Sequence, residues 1–174
     1  MTTAKKTAAR KPAATARAAQ SDATLLLTRD HAEVKKLFKE YEKLADAEAD
    51  GQERQELATQ ICQMLTVHAT IEEEIFYPAA REAEVESDLL DEAEVEHSTA
   101  KDLIAQLEEA TDADEMFDAK VKVLGEYIDH HVKEERNEIF VKARAAKELD
   151  LVVLRDQLTT RKEELMEELM GVTA

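Results

Sequence analysis

The chain of 174 residues has no tryptophan, one cysteine, two prolines and three glycines, and aromatic residues make up 4% of it. Each scarcity removes a class of protein. A single cysteine, Cys62, cannot close an internal disulfide, which points to a reducing, cytoplasmic compartment rather than a cross-linked scaffold. In a helical stretch beside Ile61, Cys62 reads as a small buried side chain and not as a reactive thiol. So little glycine and proline, beside abundant Ala, Glu, Lys and Leu, is the usage of long helices and not of sheets. No apolar run approaches the roughly 18 residues of a membrane span. Acid is missing from residues 1–21, which carry Lys5, Lys6, Arg10, Lys11 and Arg17; the net charge of −17 therefore conceals a body, from Asp22 onward, of −22. Such a body repels nucleic acid and anionic membranes, so only the basic segment could attract them.

That first segment, residues 1–21, is of low complexity and almost free of large apolar side chains, so it cannot bury enough surface to order itself. It is expected to be a disordered basic tail making weak contact with DNA; an organelle transit peptide has a similar makeup. Beyond it, the length suits one core. Apolar residues recur at helical spacing in Leu27, Val34, Phe38, Tyr41 and Ala45, with His31 in the same stripe. After Asp50-Gly51 a second stripe runs Leu57, Ile61, Leu65, His68, Glu72 and Ile75, and Pro78 is expected to kink or end it. A third starts near Ser87, with Asp88 or Asp91 as cap, and reads Leu90, Ala93, His97, Ala100, Ile104 and Leu107. The fourth follows Thr111-Asp112-Ala113-Asp114 with Phe117, Val121, Leu124, Ile128, His131, Glu135 and Ile139. Four such helices with short connections predict an all-α, antiparallel up-down-up-down four-helix bundle over residues 22–146. Residues 147–174 add a C-terminal amphipathic helix carrying Leu151, Leu154, Leu158, Leu165 and Leu169, expected to pack outside the bundle or against another subunit.

Each of the four stripes contains a histidine, and the second and fourth carry a glutamate four residues on, in HATIEEE and HVKEE. Residues four apart on a helix share a face, so imidazole and carboxylate can reach one point in the interior. If the inward face takes about three sevenths of positions, four histidines all landing there by chance has a probability of roughly 3%. A buried carboxylate without a compensating charge would normally take a proton, whereas a divalent cation keeps it ionised. Helical phase picks His131 over His130, which is expected at the surface or behind a ligand, and Glu72 over Glu73 and Glu74, expected on a solvated face near the mouth of the site. Four imidazoles and two carboxylates exceed one tetrahedral zinc and are too rich in nitrogen for calcium or magnesium. Two transition ions fit better, each with two histidines and with Glu72 and Glu135 bridging; iron makes use of an open position.

RDH at 29–31, HATIEEEIFYP at 68–78, EVEH at 94–97 and HHVKEERNEIF at 130–140 together resemble the hemerythrin-like family, the HHE cation-binding domain, from about Leu25 to Lys142. The resemblance implies a four-helix bundle around a non-haem di-iron centre bridged by carboxylates and a solvent-derived oxygen. Position by position it implies His31, His68, His97 and His131 as terminal ligands and Glu72 and Glu135 as bridges. The sequence departs from the oxygen-carrying hemerythrins, which place a second histidine four residues after that of the third helix. Here Lys101 stands at that place and Ala93 four before His97, leaving His130, Tyr41 or Tyr127 as candidates to approach the metal instead. The missing ligand argues against reversible oxygen carriage and for an open position that takes dioxygen, nitric oxide or hydrogen peroxide. The ferritin-like alternative, built on Glu-x-x-His pairs, finds only Glu94 and His97. The expected function is thus a di-iron protein binding or reacting with a small ligand, with peroxide- or nitric-oxide-directed oxidoreductase activity in view. Iron handling or sensing, and a metal-stabilised module whose tail contacts DNA, are the alternatives.

Overall fold

The structure, a computed structural model, describes residues 22–169 and Gly171; the basic tail lies outside the described residues. All of the regular structure described is helical. Helix α1 spans Ala23–Asp46 and α2 spans Gly51–Ile71; α2 runs on through a π turn at Glu72–Phe76 into α3, Tyr77–Glu82. Helix α4 covers Ser87–Glu108 and α5 covers Glu115–Glu134, continuing through a second π turn at Glu135–Ile139 into α6, Phe140–Ala145. Helix α7, Leu151–Leu169, comes last among the described residues. Helix α1 packs on α2 and α5, and α4 packs on the same two, giving the expected square of antiparallel neighbours.

Four helix starts carry the acidic caps that such ends favour, because a carboxylate satisfies amides left without a partner in the first turn; at α7 it is Asp150, accepting from Val152 at 3.1 Å and Val153 at 3.0 Å. Asp22 accepts from the Leu25 amide at 3.0 Å, Asp50 from Gln52 at 2.9 Å and Asp114 from Phe117 at 2.8 Å. Helix α4 departs from expectation: Glu86 precedes it with no side-chain cap, Asp88 lies in the first turn, and Asp91 accepts from Arg81 at 2.7 Å. Helices α1 and α3 end in matching turns. Ala49 N–H reaches back to Leu44 O and Val85 N–H to Ala80 O, with Glu48 and Glu84 in the left-handed region at φ 49° and 58°.

Pro78 does not end its helix, which continues to Glu82. The widened turn just before it would ease the missing amide and the ring's crowding of the preceding carbonyl. Proline cannot be the whole reason, because the second π turn has none. In both, the first residue is a buried glutamate whose carbonyl accepts the amide five residues on: Tyr77 to Glu72, and Phe140 to Glu135. The extra residue advances the inward stripe by one position. Ile75, expected inside, is therefore only half-buried, while Phe76, Tyr77, Ile139 and Phe140 are buried.

Two apolar clusters fill the bundle. One contains Leu27, Ile71, Phe76, Phe140, Leu154 and Leu158; the other contains Val34, Ile61, Leu65, Ile104, Phe117 and Leu124. In each of the four stripes the histidine falls between residues of the first cluster and residues of the second. Helix α7 packs on α1, α2 and the first π turn of the same chain, with Leu154 and Leu158 buried. Of the two placements expected for it, this structure shows the one within the chain. Gly125 on α5 faces Phe38 of α1, and a Cβ there would meet that ring at 3.1 Å, so the absent side chain sets how closely the two helices approach.

Candidate metal centre

The structure brings all six sequence-predicted residues together in the layer between the clusters. His31, His68, His97, His131, Glu72 and Glu135 are all buried, the two glutamates fully, at 0% exposure. The four Nε2 atoms converge in two pairs: His31 and His68 stand 2.8 Å apart, His97 and His131 3.2 Å. Glu72 lies between the pairs, Oε1 at 3.1 Å from His68 Nε2 and Oε2 at 3.4 Å from His97 Nε2. Glu135 Oε2 lies 3.2 Å from His31 Nε2 and 4.0 Å from His131 Nε2. Each glutamate thus addresses both pairs, as a bridge must. Two ligand groupings share Glu72: His31, His68, Glu72 and Glu135 on one side, and Glu72, His97 and His131 on the other.

Proton chemistry alone serves this layer poorly. Both oxygens of Glu72 and Glu135 Oε2 are buried without a hydrogen-bond partner, although imidazole nitrogens stand within 3.1–3.4 Å. Burial and then the neighbouring Glu135 charge push the Glu72 carboxyl up. Burial acts on Glu135 the same way, but the close approach of the His31 imidazole and the positive potential of His131 hold it down, at about 2. For His68 and His97 burial disfavours the charged form; the Glu72 charge and the Asp30 contact nevertheless lift His68 to about 10, while burial and neighbouring His131 drop His97 to about 4. Chemically equal side chains are driven in opposite directions. A divalent cation meets the same demand at once, supplying charge to both carboxylates and accepting lone pairs from neutral imidazoles. The donor set therefore fits metal.

Behind two of the histidines a carboxylate fixes the ring by a hydrogen bond, the arrangement expected of ligating imidazoles, and behind a third a carboxylate stands close without completing one. His97 Nδ1 lies 3.0 Å from Glu73, His131 Nδ1 2.8 Å from Glu96, and His68 Nδ1 3.5 Å from Asp30. Each carboxylate has an outer partner in turn: Lys101 on Glu73 at 2.7 Å, Lys162 of α7 on Asp30 at 2.6 Å, and His130 near Glu96 at 3.3 Å. His31 has no such carboxylate; its Nδ1 is unpartnered and its ring stacks on Phe140, with centroids 6.0 Å apart and planes within 4°.

A cavity of about 240 Å³ reaches the histidines. Leu65, Ala100, Ile104 and Ile128 contribute apolar wall, and Lys101, Lys162 and Met166 also line it. With about 30 Å³ for a water, it admits several waters or a small ligand and excludes a large substrate.

The chain matches the hemerythrin HHE cation-binding domain over residues 22–143. It belongs to that family. A solved structure of a hemerythrin HHE cation-binding domain-containing protein from Mycobacterium kansasii superimposes with a TM-score of 0.69 at 20% identity, covering 86% of this chain and 90% of that one. A protein described as a DNA nickase, from Nostoc sp. (strain PCC 7120 / SAG 25.82 / UTEX 2576), is 33% identical over 115 residues. The match takes in 66% of this chain but only 31% of that protein.

In this HHE-domain protein the candidates for the missing histidine do not reach the centre. Tyr41 donates to Asp118 at 2.6 Å in a cluster with Arg54, Tyr127 is 44% exposed and His130 is 59% exposed. Lys101, standing where oxygen carriers have their histidine, binds Glu73 instead. The tyrosine that does approach is Tyr77, its Oη 3.4 Å from both His97 Nε2 and Glu135 Oε1. Sequence reasoning passed over it because an uninterrupted α-helix would turn it off the inward face. The available signal was its pairing with Phe140 in the repeat: Tyr77 packs on His97 as Phe140 packs on His31. Glu73 was likewise expected on a solvated face and instead stands, 29% exposed, behind His97. Glu74 does face outward, where it pairs with Arg161 of α7.

Proposed function

We propose that this cation-binding protein holds two iron ions as a non-haem di-iron centre and reacts there with dioxygen, nitric oxide or hydrogen peroxide in a cytoplasmic setting. The observation that carries the reading is the pairing of four Nε2 atoms across two buried, unsatisfied glutamates at the end of a small cavity. His31 and His68 would hold one ion, His97 and His131 the other, with Glu72 and Glu135 spanning both. Iron, when bound, would supply open coordination positions and electrons. The chain's own contribution is geometric and electrostatic: Glu73 and Glu96 orient imidazoles, the apolar wall limits water, and Tyr77 Oη offers a hydroxyl near His97 and Glu135.

The test is iron content per chain, with absorption spectra of protein reduced without oxygen and then exposed to air, nitric oxide or peroxide. Two irons and new bands with at least one ligand support the reading. One zinc, or a spectrum indifferent to all three, overturns it. A second reading, iron sensing, draws on the three buried glutamate oxygens left unpartnered at the centre: if metal completes the core, partners could read occupancy as folding. Metal-free protein that keeps its helicity and melting temperature would exclude this. DNA contact, suggested by five basic tail residues and by the name of the Nostoc relative, would have to run through residues 1–21. Deleting the tail would then abolish binding that is itself salt-sensitive.

A further inference from the structure

The three carboxylates behind the histidines differ in what stands outside them. Glu73 and Asp30 are capped by lysines, whose ammonium groups cannot ligate a cation. Glu96 is capped by a histidine, which can. His130 Nε2 lies 3.3 Å from Glu96 Oε1 and 3.3 Å from Glu134 Oε1, the second an i,i+4 partner on the same helix. One ring nitrogen cannot satisfy two carboxylates through a single N–H, yet the three donors all fall within 4.8 Å of one another. The grouping repeats on the surface the His-x-x-x-Glu plus facing carboxylate found inside.

This corner also communicates with the interior. Glu96 uses its other oxygen, Oε2, to hold His131 Nδ1 at 2.8 Å. A crevice of about 10 Å³, room for one water-sized sphere, is lined by Glu96 and Glu134 together with His131 and Glu135.

We infer that Glu96, His130 and Glu134 form a surface loading site for a divalent transition ion, which passes it along this crevice to His131 and Glu135. One imidazole and two carboxylates, with the remaining positions left to water, suit ferrous, manganous or zinc ions better than calcium or magnesium. Transfer is a ligand exchange without redox change: water and His130 leave the ion as buried donors replace them, and Glu96 serves both ends. The inference rests on the di-iron reading for its destination and not for its surface donors.

The experiment is anaerobic titration of the metal-free full-length protein with cobalt(II), followed by visible absorption and by stopped-flow filling at substoichiometric metal. The wild type is expected to take two tight equivalents and one weaker one. His130→Ala and Glu134→Gln, both at exposed or half-exposed positions, should keep the tight pair, lose the weaker equivalent and fill roughly 10-fold more slowly, the lower range for loss of a supporting ligand. Two tight equivalents without a third, filled equally fast in both variants, would overturn the loading site and leave the di-iron reading intact. A weak equivalent with no tight pair would overturn the di-iron reading and, with it, the loading role.

Discussion

At the scale of single residues, His97 and His131 owe their orientation to carboxylates that stand behind the centre. Glu73→Gln and Glu96→Gln should each weaken metal binding by about 10–100-fold while leaving helicity intact, measured by competition against a chelator of known affinity. Lys101→Ala, one step further out, should cost less. Cys62 carries a prediction of a different kind. It is 1% exposed, and burial, with Glu108 adding to it, raises its thiol from 9.0 to about 12. A raised value favours the folded, protonated form, so this contribution is whole below pH 9.0 and is lost as pH climbs toward 12. Cys62→Ala should therefore flatten the alkaline decline in stability across that window, read from denaturant unfolding at several pH values.

At the scale of elements, the two π turns decide which side chains surround the centre, and two helix ends carry strain that substitution can relieve. Glu48 and Glu84 occupy the left-handed position that usually belongs to glycine, at a cost of about 1–2 kcal/mol for a side chain with Cβ. Glu48→Gly and Glu84→Gly should each raise unfolding free energy by up to about 1 kcal/mol, net of the freedom glycine gains in the unfolded chain. No change in either would mean the turn is not held as described. Helix α7 matters beyond its own packing, since Lys162 reaches Asp30 and Arg161 reaches Glu74. Leu158→Ala, at a position with 0% exposure, should cost about 2–5 kcal/mol in chemical denaturation.

At the scale of the whole molecule, the polar layer divides the core, and its worth depends on what binds there. Buried carboxylates without partners destabilise; the same groups around a cation contribute folding energy. Removing metal should lower the melting temperature, with a loss of about 2.7 kcal/mol for an ion supplied at 100 times its dissociation constant. Calorimetry of chelated and reloaded protein reads this directly, and a melting curve indifferent to metal would contradict it. Among the described residues no helix is long and apolar enough to cross a membrane.

Much of this was legible in the chain. The 3.6-residue period of Leu27, Val34 and Tyr41, or of Val121, Leu124 and His131, specifies which face turns inward, because a helix repeats its direction locally. The same arithmetic brought out His31, His68, Glu72, His97, His131 and Glu135, which the fold then gathers in one layer. Local arithmetic fails where the helix itself changes pitch. Tyr77 could not be placed without the π turn, and that turn sits at glutamates whose surroundings come from three other helices. Glu73, Glu96 and Asp30 behind the rings, Lys162 arriving from α7 and the corner at His130 likewise depend on which helices are neighbours. Residues distant along the chain meet through packing, so the sequence by itself determined the helices, their inward faces and the donor set. Only the tertiary structure decided what stands behind each donor and which tyrosine looks on.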